Sequence, residues 1–96
     1  MDLSELIELS DSWHVWVLEY GITHAVMRLA LHRGDYPMHQ EVVCGGATAF
    51  VGELQGGPYK LSLVSDPDLS GKLILRDEAN KFLVRADTFS LGRNRT

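Results

Sequence analysis

The sequence contains a single cysteine among 96 residues, so it cannot be a small disulfide scaffold. It has no surplus of basic residues: 13 acids face 9 lysines and arginines, for a formal net charge of −4. That balance argues against nucleic acid as a partner, because a phosphate-binding surface needs a lysine- and arginine-rich face. No long apolar run is present either. The longest uncharged stretch, Val42 to Gly52, has 11 residues, and four of them are glycine or threonine. A membrane-spanning helix needs about 20 mostly apolar residues, so no membrane association is expected. At 45% hydrophobic residues, the chain is also too apolar for a disordered tail.

Further absences concern chemistry. There is no G-x-x-x-x-G-K-[ST] sequence and no G-x-G-x-x-G sequence between a strand and a helix, so the glycine-rich 45–58 stretch is read as bulges and turns rather than a phosphate cradle. Asp66-Pro67-Asp68 and Asp77-Glu78 lack EF-hand spacing, and Asp-Pro starts turns for local reasons. G-x-S-x-G is missing, as is a histidine–acid zinc-hydrolase motif. No catalytic residues and no cofactor are assigned from sequence. The start Met1-Asp2-Leu3 lacks a basic region followed by an apolar one. With a lone cysteine, this predicts a cytoplasmic location.

What is present reads as a single domain over 1–96, of mostly-β α+β class. Residues 2–11 form a short helix in this reading. Asp2 and Glu5 have capping-box spacing, and Leu3, Leu6 and Ile7 share one face. A helix this short must dock its leucines on the rest of the fold. Antiparallel strands are expected over 12–91, six or seven in number. They would run as a meander that curls into a strongly curved sheet or small barrel, with a frayed tail at 92–96. The first hairpin would turn on Gly21-Ile22. A second hairpin, joined by the loop Gly34-Asp35-Tyr36-Pro37, would pair His32 with His39, Leu29 with Val42 and Met27 with Cys44. Its apolar face would bury Cys44 as a small inert hydrophobe. Its other face would carry His24, Arg28, His32, His39 and Glu41. Later strands are expected at Ala47 to Leu54, Tyr59 to Ser65, Lys72 to Arg76 and Phe82 to Leu91. Glu78-Ala79-Asn80 would be a loop with Asn80 left-handed.

Two groups of residues stand out for function. His32 and His39, as cross-strand neighbours with Glu41 on the same face, are candidate metal ligands. The more favoured reading concerns protein contact. Trp13 and Trp16 must face opposite sides of a strand. With Trp16 in the core beside Met27, Trp13 joins Val15, Val17 and Val26 in a second apolar strip. The helix, a partner or a dimer mate would cover that strip. Trp13, Arg28 and Tyr36 are the candidate interface anchors. Residues 1–20 hold five acids and no base, while the other 76 hold eight acids and nine bases. Glu5, Glu8 and Asp11 are therefore candidates for steering a basic partner. The expectation is a non-enzymatic interaction or regulatory module with a protein partner or a homodimer mate. The alternatives are a small-molecule-binding barrel and, more distantly, a metal-dependent enzyme.

Overall fold

The structure is a computed structural model that describes residues 2–21, 25–33 and 39–95. Among the described residues one helix precedes nine strands in two antiparallel sheets. Helix α1 spans Leu3–Ile7. The strands are β1 (Trp13–Gly21), β2 (Val26–Arg33), β3 (His39–Gly45), β4 (Ala49–Val51), β5 (Gln55–Tyr59), β6 (Ser62–Ser65), β7 (Leu73–Asp77), β8 (Phe82–Ala86) and β9 (Thr88–Arg95). Sheet A has the order β5-β1-β2-β3-β9 and sheet B the order β4-β8-β7-β6. The mostly-β, antiparallel class with a short N-terminal helix is as expected. Among the described residues neither sheet closes on itself, and two sheets of five and four strands stand where a six- or seven-stranded meander or barrel was expected.

Helix α1 begins on the capping box anticipated from Asp2 and Glu5. The Glu5 N–H donates to Asp2 Oδ1 at 2.9 Å, and the Asp2 N–H donates back to Glu5 Oε1 at 3.5 Å. The helix ends at Ile7 rather than reaching residue 11, with Glu8 as its C-cap. It is held by docking, as its length requires. Leu3, Leu6 and Ile7 are buried, and α1 packs against β6 and β9, one edge strand of each sheet. The Ile7 carbonyl accepts the indole N–H of Trp13 at 3.0 Å, which ties the helix to the start of sheet A.

The hairpin register of β2 and β3 is the one anticipated: His32 pairs with His39, Leu29 with Val42 and Met27 with Cys44. Met27, Leu29, Leu31, Val42 and Cys44 are all fully buried. They meet Leu75, Phe82 and Val84 of sheet B, with Trp13, Val15, Tyr59 and the helix leucines around them. The Tyr59 and Phe82 rings stack at 4.7 Å.

The face assignment of β1 is reversed. Trp13 is 3% exposed and Val15 fully buried, whereas Trp16 is 42% exposed on the outside. A bulge explains why alternation misleads along this strand. Val17 pairs with Leu29 and Glu19 with Arg28, so Leu18 is an extra residue that shifts parity midway. Gly21 belongs to β1, where it pairs with Val26, rather than to the expected Gly21-Ile22 turn, whose Ile22 lies outside the described residues.

Strands expected to be continuous change sheets instead. The stretch expected as one strand from Tyr59 to Ser65 breaks after Tyr59, so β5 belongs to sheet A and β6 to sheet B. Phe82 to Leu91 breaks at Asp87 for the same reason. Ala47 to Leu54 contracts to β4. The supposed tail is strand: β9 continues to Arg95, with Gln40 paired to Asn94 and His39 to Arg95. In the last hairpin Asp77 pairs with Phe82, and Lys81, not Asn80, takes the positive φ of 54°.

The sheet-changing corner of β3–β4 against β8–β9 is a bent ribbon. Gly45 pairs with Thr88 before the bend and Ala49 with Arg85 after it. Gly46 sits at the bend with φ +68°, where a side chain would collide with the Asp87 carboxylate. Lys72 Nζ holds Asp87 Oδ1 at 2.6 Å. Gly57 serves a similar purpose at the β5–β1 contact. A Cβ there would lie 2.8 Å from the Trp13 carbonyl oxygen and 2.9 Å from His14 Cα.

Candidate functional site

The inner face of sheet A is core, so its chemistry lies on the outer face. Three cross-strand rows compose that face. The first is His14, His32 and His39, one from each of β1, β2 and β3. The second is Trp16, Ala30 and Glu41, and the third is Glu19, Arg28 and Val43. Parity within β2 puts Arg28, Ala30 and His32 on one side, opposite the buried Met27, Leu29 and Leu31.

Arg28 is the electrostatic centre. Its guanidinium lies 2.7 Å from Glu41 Oε1 and 3.2 Å from Glu19 Oε2, bridging β1 to β3. The hydrogen bonds to Glu41 and then to Glu19 hold its proton more firmly than in free arginine. The two acids differ in setting. The Glu41 side chain is 7% exposed and that of Glu19 54% exposed. Glu41 stands at a bulge between β3 and β9, where Gly92 leaves room for it. Gln40 secures this irregularity by donating from Nε2 to the carbonyls of Glu41 and Gly92.

The histidine row is in contact along part of its length. The rings of His14 and His32 stack with centroids 5.3 Å apart, and the Trp16 indole meets the His32 ring edge-on at 4.7 Å. Burial lowers the His32 pKa, and the neighbouring His14 and His39 lower it further. His32 Nε2 is buried and has no hydrogen-bond partner among the described residues.

The residues singled out from sequence divide as follows. Arg28, His32, His39 and Glu41 come together on the outer face. Trp13 lies on the inner face, in the core, so it is no surface anchor beside Arg28. Glu5, Glu8 and Asp11 are exposed at α1 and the turn after it. Glu8 also borders a groove of about 260 Å³ lined by Ser4, Ile7, Leu61, Ser62 and Leu63. Tyr36 and His24 lie outside the described residues. His32 and His39 are cross-strand neighbours, but no three histidine, cysteine or acidic side chains among the described residues are placed to hold a metal ion. Glu41 Oε1 is instead committed to Arg28.

Cys44 has the expected buried setting. Burial pushes its thiol up to about 12, which leaves it protonated and unreactive at neutral pH. Sequence reasoning missed His14 and Trp16. A signal for both was available. Placing Trp13 rather than Trp16 in the core puts His14 and Trp16 on the outer face in one step.

No described helix is long and apolar enough to cross a membrane. No family model, curated protein or solved structure matches this chain.

Proposed function

We propose that this chain is a non-enzymatic protein-interaction module that docks its partner on the outer face of sheet A, with Trp16 as the anchor. The observation that carries this reading is the 42% exposure of Trp16 on an otherwise ordered sheet face. Tryptophan and arginine are the side chains that interfaces favour at their energetic centres, and Arg28 stands one row away. Leu18, lifted out by the bulge, is 44% exposed, and Leu54, at the head of β5, is 69% exposed. The ion pairs to Glu19 and Glu41 hold the Arg28 guanidinium in place, which reduces the ordering cost of binding.

The test compares wild-type protein with Trp16→Ala in affinity capture from the source cell's lysate, followed by affinity measurement on whatever is retained. Loss of an anchor tryptophan costs at least about 2 kcal/mol, or roughly 30-fold in Kd. Stability should move by less than about 1 kcal/mol, because much of the side chain is already in water. Equal capture by the two proteins would remove Trp16 from the interface. Sedimentation of the isolated protein covers the homodimer case: a dimer that Trp16→Ala dissociates would identify a second copy as the partner.

A further inference from the structure

We propose that the histidine row His14–His32–His39 is an acid-responsive clasp, which holds one end of sheet A together when neutral and loosens it when protonated. This inference concerns the same face as the docking reading but does not rest on it, since it needs no partner. Three imidazoles from three adjacent strands occupy successive positions in one cross-strand row. The central ring is stacked on His14 at 5.3 Å and capped edge-on by Trp16 at 4.7 Å. Its Nε2 is buried with no acceptor among the described residues. A neutral imidazole tolerates that position as an unprotonated nitrogen. A protonated one must bury an N–H without a partner, which costs more than the same proton in water.

The surrounding charges do not relieve this cost. On β1 the neighbour in register is His14 and on β3 it is His39, and both disfavour a proton on His32. Arg33 follows His32 in β2, but its guanidinium lies on the opposite face, 5.8 Å from the centre of the Trp13 ring. Glu41 is the acid nearest in register, but its Oε1 is bonded to Arg28 at 2.7 Å. On the β5 side, His14 meets backbone at Gly57. Protonating His32 therefore places a charge on a buried nitrogen that has no hydrogen-bond partner among the described residues.

The sign follows from linkage. A histidine whose pKa is lowered by folding binds its proton more readily in the unfolded chain. Stability is then full above the unfolded value of about 6.5, and declines as pH falls from there toward the folded value.

Urea unfolding of the whole chain at about pH 7.5 and about pH 5.0 reads this directly, across the range in which histidines titrate. The midpoint is expected to be lower at the acid pH, and His32→Gln is expected to remove about half or more of that difference. Trp16 supplies a second reading in the folded state. Its emission should change with pH as His32 charges beneath it, and Trp16→Phe should abolish the transition. If His32→Gln does not fold, His14→Gln with His39→Gln removes the neighbouring charges while sparing the central ring, and should reduce the acid loss. An acid loss unchanged by these histidine substitutions would overturn the inference. So would a folded-state NMR titration of His32 at or above its value in an unfolded peptide.

Discussion

Removing Arg28 is the most informative perturbation of the outer face. The Glu41 side chain is 7% exposed, and its Oε1 lies 2.7 Å from the Arg28 guanidinium. Arg28→Met keeps the aliphatic stem but leaves a buried carboxylate without that cation. Breaking a buried pair from one side costs about 3–5 kcal/mol. The Arg28 side chain is 33% exposed, so water can replace part of what is lost, and about 2–3 kcal/mol is the better expectation. For a domain of this length that corresponds to a fall in Tm of roughly 10–20 °C. Glu19→Gln touches the same guanidinium from an exposed side chain, and should cost less than about 1 kcal/mol. The double variant Arg28→Met, Glu41→Leu should recover to within about 1 kcal/mol of wild type, because the charge and its partner leave together. Differential scanning calorimetry on the four proteins gives the comparison. Two results would refute the reasoning: an Arg28→Met protein within about 0.5 kcal/mol of wild type, or a double variant no better than the single one.

Cys44 should resist a thiol reagent in the native protein at mildly alkaline pH and react fully after unfolding, because burial pushes its thiol up to about 12. Gly46→Ala should destabilise the protein by about 2 kcal/mol or more, through the positive φ and the collision with Asp87; a neutral effect in urea unfolding would mean that the ribbon corner yields. Asp66 and Asp77 predict a separate loss at lower pH. Backbone hydrogen bonds from Asp68 and Leu69, with Arg85 alongside, hold the Asp66 carboxyl below its usual range. Burial alone would raise Asp77, but hydrogen bonds from the Asn80 side chain and from backbone N–H groups including Lys60 outweigh it and lower its pKa. Their stabilisation is present above the unfolded value near 4 and is lost as pH falls through the folded values. Asp66→Asn and Asp77→Asn should flatten stability profiles below about pH 4 while leaving the histidine range above about pH 5 unchanged.

Legibility in the sequence followed the range of the interactions involved. The β2–β3 register was readable because a short connection and strict alternation leave little freedom, and a one-residue slip would have exposed Met27, Leu29 and Leu31. The same parity placed Arg28, His32, His39 and Glu41 together. The capping box was readable because both partners lie within one turn. The orientation of β1 was not, since two tryptophans compete for one core and the Leu18 bulge breaks the alternation that would arbitrate. That one reversal concealed His14 and Trp16, and with them half of the histidine–tryptophan contact. The corners at Lys60–Leu61 and Asp87 were hidden for a different reason. A strand that leaves one sheet and enters another keeps its local pattern of apolar and polar residues, and only distant partners reveal the change. The β9 pairing with β3 is of that kind: it joins residues 39–45 to residues 88–95, a separation over which local pattern carries no information.

The bent ribbon at Gly46 and Asp87 has a consequence for how the molecule opens. Its two segments, 39–51 and 82–95, each supply one strand to sheet A (β3 and β9) and one to sheet B (β4 and β8). Unzipping sheet B would remove the anchor of the ribbon and pull on the edge of sheet A. Unzipping sheet A would do the reverse. The slowest-exchanging amides of β3 and β8, though they belong to different sheets, should therefore share one opening event and one protection free energy by native-state hydrogen exchange. The two layers are mechanically a single object, folded over at a glycine.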